Sequence, residues 1–494
     1  MTLTNVESLR HFLPEAIVTL TILVLLVADI ATGARRRGLN AGIAFGGLAA
    51  AFGAGVAQIG STPTFLFDGM VALDPFALFF KLFFIAVTAV VVLVVHPYRE
   101  LSERYHGESY VLMLGTVLGM TLLASASNLL MMYLALEMTS LPSYLLTSFL
   151  RRDGKSSEAG LKYVLFGAAA SGCMVYGMSL FYGMTGSLSL IELREVLAIA
   201  GIPSTALFVA TAFVLAGFGF KISMVPFHNW TPDVYEGAST PVTAFFSVAP
   251  KAAGLAVLLR FCFAGLSSMD GGVLRPFYGL DWPFLLGVIS AATMTLGNLA
   301  ALKQNNVKRM LAYSSIAHAG YMLMGTVLLT DAGLQAILFY LVVYGLMNLG
   351  AFVVVIALST QTRREEFESY RGLGWRMPLL AVPMAIFMFS LTGIPPFAGF
   401  VGKVYLFKAV IEQDLYWLAF IGLLNSVVSL YYYMRIVKTM YFDDPGPATG
   451  ESVRVPWVHT LIVLALAVPT LYFGVAFGWL DRLSSASLKI FSGS

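Results

Sequence analysis

Residues Gly219–Asp233 read GFKISMVPFHNWTPD. Lys221 stands inside a long apolar run, Pro226 interrupts that run, and His228 follows two residues later. The preceding stretch, IPSTALFVATAFVLAGF (202–218), carries no charge and reads as a membrane helix. The segment therefore predicts a spanning helix that holds a lysine and is broken beside it.

The composition around it agrees. The chain has 494 residues, of which 58% are hydrophobic and 12% charged. Its mean hydropathy is +0.81. Soluble domains carry roughly 25% charged residues, so this is an integral membrane protein. Apolar runs of about 20 residues recur from end to end, which selects helices rather than barrel strands. The expected fold class is an all-α polytopic membrane protein with about fourteen spans. Their expected positions are 12–32, 41–61, 74–95, 108–127, 129–150, 159–183, 204–229, 240–265, 282–302, 307–329, 332–359, 377–411, 414–440 and 456–479. LPEAIVTLTILVLLVADIATG (13–33) is too long for the core of a signal peptide and is followed by ARRRG, so it reads as the first span.

Charge sets the orientation. Loops on one side hold Arg35, Arg36, Arg37, Arg99, Arg104, Arg151, Arg152, Lys155, Lys303, Lys308, Arg309, Arg363, Arg364, Arg371, Arg376, Arg435, Lys438 and Arg454. The other side holds Arg10, Arg194, Arg275, Arg482 and Lys489. The positive-inside rule places the first set in the cytoplasm and both termini outside. An even number of spans requires the same.

Some functions are disfavoured. Cys173 and Cys262 fall in apolar spans with no CxxC pattern, so they read as core residues rather than disulfide, zinc or cluster ligands. DGKSS (153–157) resembles the end of a phosphate loop, but Phe149 stands where a glycine is needed. No cofactor or metal is expected on this chain.

Seven basic residues remain inside spans. Lys81, Arg260 and Lys408 lie near span ends, where snorkelling to the interface is expected. Lys162 sits about one turn into its span and reads either way. Lys221, Lys251 and Lys403 are deeper, as is Glu137. An ionised group at the bilayer centre costs about 2.5–3.5 kcal/mol on insertion scales. Two readings follow: structural ion pairs between helices, or a hydrated path through the bundle. One carboxylate cannot neutralise three lysines, which favours the path. A buried amine without a partner gives up its proton readily, and His228 and His318 add groups suited to relaying it.

A second interrupted run, LTGIPPFAGFVGKVYLF (391–407), also pairs prolines with a lysine. Matched broken helices in two halves of a membrane protein point to inverted repeats around a midplane ion path. The separation of Glu137 from Lys221 nearly equals that of His318 from Lys403. On spacing alone, His318 holds in the second half the place Glu137 holds in the first.

ALEMTSLPSYLLTSF (135–149), KYVLFGAAASG (162–172), KISMVPFHNWTPDVYEGASTPVTAF (221–245), KRMLAYSSIAHAGYMLMG (308–325) and GIPPFAGFVGKVYLFKA (393–409) closely resemble the antiporter-like membrane subunits of bacterial respiratory NADH:quinone oxidoreductase, complex I. The likeness runs over nearly the whole chain. It implies three N-terminal helices (1–107), two inverted five-helix repeats (108–265 and 266–440) and a last helix (441–494). It also implies a charged axis of Glu137, Lys221, Lys251 and Lys403, with His318, His228 and Lys162 as relays or modulators. Lysine at 403 and a short tail favour one subunit type over its sisters. NADH, FMN, iron–sulfur clusters and quinone would sit in partner subunits. Multisubunit sodium/proton antiporters share these motifs and give the alternative reading.

Overall fold

A computed structural model describes residues 3–32, 37–98, 106–150, 153–199, 201–270, 273–277, 280–362, 364–444 and 455–490. Arg35, Arg36, Arg99, Arg104, Arg151, Arg152, Arg363 and Arg454, which contributed to the orientation, lie outside the described residues.

The main helices, numbered here in chain order, are α1 (Leu13–Thr32), α2 (Arg37–Ala57), α3 (Pro75–Val95), α4 (His106–Ser125), α5 (Leu129–Thr147), α6 (Gly154–Thr185), α7 (Ser204–Ile222), α8 (Trp230–Gly237), α9 (Thr240–Arg260), α10 (Trp282–Ala301), α11 (Val307–Thr326), α12 (Asp331–Thr362), α13 (Pro378–Thr392), α14 (Ala398–Glu412), α15 (Tyr416–Tyr441), α16 (Trp457–Val475) and α17 (Gly478–Ala486). The described strands form two short antiparallel hairpins in loops, Thr64–Leu66 with Val71–Leu73 and Ser267–Asp270 with Val273–Pro276. The chain is an all-α polytopic membrane protein.

Among the described residues, 12 helices are long and apolar enough to cross a membrane. Two of the expected spans are not among them, for separate reasons. α11 carries Lys308, Arg309, Ser314, Ser315 and His318, yet nearly all of it is buried. It is a helix solvated by protein. The other is split into α13 and α14, of 15 residues each.

Both breaks end in a left-handed residue, Ser223 (φ 63°) after α7 and Gly393 (φ 88°) after α13. Glycine adopts that conformation freely, while serine does so at a cost. The Ser223 side chain is held by the Thr231 hydroxyl, which donates to its Oγ at 2.7 Å. The backbone beyond the first break is tied to a neighbour, with Val225 N donating to Thr293 Oγ1 at 3.0 Å.

α9 lies at the centre, packed by α3, α4, α7 and α12. Every residue from Thr240 to Arg260 is buried. This position overturns one sequence expectation. Arg260 does not reach an interface. It is fully buried and grips Asp74 with two hydrogen bonds of 2.8 and 3.0 Å, while Nε donates to Ala124 O at 3.0 Å. Asp74 also caps α3 by accepting from Ala77 N at 2.7 Å. A bidentate guanidinium–carboxylate pair satisfies both ions at once, which makes burial tolerable. Lys81 departs from expectation in the same way. It is buried against Glu15, at 2.7 Å, with side-chain exposures of 1% and 0%. Lys408, by contrast, is 71% exposed beside Glu412, as a snorkelling lysine should be. Cys262 is buried and Cys173 is partly exposed.

Removing one member of a buried ion pair strands the other, at about 3–5 kcal/mol. We expect Asp74→Asn to lower the amount of chain that accumulates in membranes, and Asp74→Leu with Arg260→Met to recover most of it. Equal accumulation of wild type and Asp74→Asn, by immunoblot, would contradict the assignment.

Candidate proton path

The buried lysines line up through the interior, and each meets neutral oxygens. Lys221 lies in the last turn of α7. Its ammonium donates to Ser140 Oγ on α5 at 3.1 Å. Glu137 lies one turn earlier on α5 and accepts from Ser171 Oγ of α6. Among the described residues, Glu137 and Lys221 make no direct ion pair. A serine occupies the place nearest each charge, and the carboxylate acts on the lysine across one helical turn.

Lys251 follows on α9. A Cβ at Gly254 would lie 2.8 Å from Ile222 Cγ2 and 3.1 Å from Lys221 Cβ. The bare glycine lets α9 press against α7, and Lys251 sits one turn away on the same helix. Its ammonium donates to Ser315 Oγ on α11 at 2.6 Å and lies 5.4 Å from the Tyr235 ring centre. A cavity of about 10 Å³ beside it is lined by Ile222, Val248, Leu341 and Tyr344 among others. That is close to the least volume that holds one water.

His318 lies one turn beyond Ser315 on α11. Its Nδ1 is 2.7 Å from the Tyr340 hydroxyl and its Nε2 is 3.0 Å from the Tyr433 hydroxyl. Tyr433 also hydrogen-bonds Ser314. Lys251 thus reaches Ser315, while the next residue in the chain, Ser314, shares Tyr433 with His318. Lys403, on α14, closes the row. It donates to Thr392 O at 2.8 Å and to Ser426 Oγ at 3.2 Å, and lies 4.7 Å from the Tyr321 ring centre. Tyr321 and Ser426 share a hydrogen bond of 3.0 Å.

Two sequence candidates sit off this row. His228 lies in the turn after Pro226, is 8% exposed, and its Nδ1 has no hydrogen-bond partner. Lys162, open to two readings in the sequence, is a half-exposed ion-paired residue. It meets Asp233 at 2.6 Å and Glu158 at 2.8 Å. Asp233 and Glu236 both hold Arg309 at 2.8 Å, and Glu236 holds Lys155 at 3.1 Å. This cluster borders a cavity of about 180 Å³. Sequence reasoning missed it, because its members come from α6, α8 and α11.

The serines were also missed, while Tyr433 falls in YYYMR (431–435), the stretch reached when the Glu137–Lys251 separation of 114 residues is added to His318. Ser315 and His318 at i and i+3 were legible as one helix face, but spacing does not single out Tyr433 within its stretch or show its bond to Ser314. The two helix pairs α4–α5 and α10–α11 share a register. Asn128 caps α5 and Asn306 caps α11. Gly119 touches the backbone at Thr139, and Gly297 touches that at Ala317. In that register Ser315 stands at the place of Glu137, and His318 at the place of Ser140. Spacing alone had equated His318 with Glu137, one turn away.

Comparison with known proteins bears on this arrangement. Residues 126–429 match the family described as NADH:quinone oxidoreductase/Mrp antiporter, TM. The chain belongs to this family. The matched region contains Glu137, Lys162, Lys221, His228, Lys251, His318 and Lys403. Over 99% of its length the chain is 46% identical to the NADH-quinone oxidoreductase subunit N of Anaeromyxobacter sp., covering 98% of that protein. A solved chain of respiratory complex I from Thermus thermophilus is 34% identical, with a TM-score of 0.78, over 96% of this chain and 99% of that one. A chain of the Mrp complex from Dietzia sp. gives a TM-score of 0.81 at 23% identity, over 97% of this chain and 98% of that one, a likeness of fold alone.

The tight contact at Gly254 gives a direct test. Gly254→Ala should force α7 and α9 apart at a cost of about 1–3 kcal/mol, lowering the thermal midpoint of the purified protein. Gly38→Ala serves as control, since a Cβ there meets nothing within 4 Å. Equal midpoints for the two variants would refute the contact.

Proposed function

We propose that this chain moves protons across the bilayer as a membrane-arm subunit of an NADH:quinone oxidoreductase, along the row Glu137, Lys221, Lys251, His318 and Lys403. One observation carries the reading. Each of the three lysines rests on hydroxyl or carbonyl oxygen rather than on a carboxylate. An ammonium held this way can lose its proton without leaving a buried anion unpaired. A serine hydroxyl can then turn from acceptor to donor and serve the neutral amine.

The contacts support the following sequence of events. Glu137 favours the charged form of Lys221 across one turn of α5. Quinone chemistry in partner subunits alters the charge near Glu137, and Lys221 loses that support. Its proton passes to Lys251, aided by the contact at Gly254. Ser315, Ser314 and Tyr433 lead on to His318. The ring, bonded at both nitrogens, accepts on one side and donates on the other. Tyr321 and Ser426 connect the His318 turn to Lys403, and the proton leaves on the outer side. The bistable element is the charge at Glu137 and Lys221, biased by a neighbouring antiporter-like subunit. His228 and Lys162 modulate entry from the cytoplasmic side, where the Asp233–Arg309 cluster lies.

The wider assignments rest on the same footing. The names of the relatives support the subunit N type. Two inverted five-helix repeats, 108–265 and 266–440, supply the two halves of the path, with 1–107 and 441–494 around them. The charge bias of the loops supports a bacterial inner membrane with both termini outside. NADH, FMN, iron–sulfur clusters and quinone belong to partner subunits.

In inverted vesicles, Lys251→Ala should lower the protons pumped per NADH oxidised in correctly assembled complex. An unchanged ratio at full NADH oxidation would overturn the path. Sodium-driven proton movement persisting without NADH would favour the antiporter reading instead.

A further inference from the structure

We propose that the C-terminal helix pair α16–α17 is a clasp that sets the position of Lys403, with Gly474 and Asp481 as its positioning residues. This rests on Lys403 carrying protons. The lysine is borne by α14, but its ammonium bonds to α13, through Thr392 O at 2.8 Å. That carbonyl is in the last turn of α13, where the helix no longer supplies a donor. Where the ammonium lies therefore depends on how the two half-helices are set against each other.

Two contacts from the C-terminal pair hold that setting. At the end of α16, Gly474 lies on the break itself. A Cβ there would stand 1.8 Å from Pro396 O and 2.7 Å from the carbonyl carbon of Phe397. No other residue type permits this approach. Past the turn, Asp481 on α17 accepts from the Tyr405 hydroxyl at 2.7 Å and from Gln335 Nε2 at 2.8 Å. Tyr405 is on α14, two residues beyond Lys403, and Gln335 is on α12. The Tyr405 ring stacks on Phe339 of α12, 4.7 Å between centres, and Phe477 meets its edge at 6.2 Å. One carboxylate thus ties the lysine-bearing half-helix to α12, while a glycine seats the break. The backbone of the first break is held instead from α10, through Thr293.

Both hydrogen bonds to Asp481 use it as an acceptor, so the geometry needs an oxygen and not a charge. The test compares protons pumped per NADH oxidised in assembled complex bearing Asp481→Ala, Asp481→Asn, Lys403→Ala and the Asp481→Ala/Lys403→Ala double variant. We expect Asp481→Ala to lower the ratio as far as Lys403→Ala does, Asp481→Asn to restore it, and the double variant to fall no further. Gly474→Ala should behave like Asp481→Ala. A merely structural role would reduce the amount of assembled complex and leave the ratio of the remainder unchanged. That result, or a double variant worse than Lys403→Ala, overturns the clasp. Should Asp481→Asn fail to restore the ratio, the carboxylate acts by its charge and the clasp is likewise overturned. If Lys403→Ala itself leaves the ratio unchanged, the proton path fails first and the clasp with it.

Discussion

A positive charge deep in a bilayer has to be met by something within reach of its own side chain. The interior of this protein meets it in two ways. Arg260 and Lys81 each receive a carboxylate, Asp74 and Glu15. Lys221, Lys251 and Lys403 receive hydroxyls and a carbonyl. The first kind of contact fixes an ion. The second tolerates both protonation states, since neutral oxygen ligands lose little when the ammonium becomes an amine. The protein keeps the two kinds apart: the paired charges hold the fold, and the others are the ones to which the proposed path assigns a proton.

The broken helices serve the second kind. A helix end leaves carbonyls without intrahelical donors, and in a membrane these must be covered by protein or water. At the second break Lys403 is itself that cover. At the first, Lys221 lies in the final turn and turns to Ser140. The breaks differ in which half-helix carries the lysine, α7 before Pro226 and α14 after Pro396. Their likeness lies in the left-handed residue and the proline, and their chemistry is arranged differently around them.

Much of this was legible in the sequence. Apolar run lengths, prolines and loop charges define nearly every span, because each depends on residues close together in the chain. α11 was recognisable as a span although Ser314, Ser315 and His318 make it too polar to face lipid. The deep lysines and His318 stood out because a charge in an apolar run is conspicuous. What was not legible are partners that meet across large separations. Asp74 and Arg260 read only as residues at the ends of two separate spans. Ser140, Ser171 and Ser315 have no local signal, since serine is common in membrane helices. The Asp233–Arg309 cluster draws on three helices; Lys155 and Arg309 read separately as loop charges and Lys162 as a span residue.

The Asp74–Arg260 pair bears on how the chain is made. Its members are 186 residues apart. At roughly 5–20 residues per second, α3 would wait about 10–40 s for its counter-ion. During that interval Asp74 is either left at the membrane surface or shielded by water and insertion machinery. α9 is buried on every face and carries the arginine that ends the wait, so its arrival seals the centre of the bundle. Biogenesis of this protein thus contains a built-in delay, in which the first helices are present but cannot settle until the middle of the chain has been synthesised.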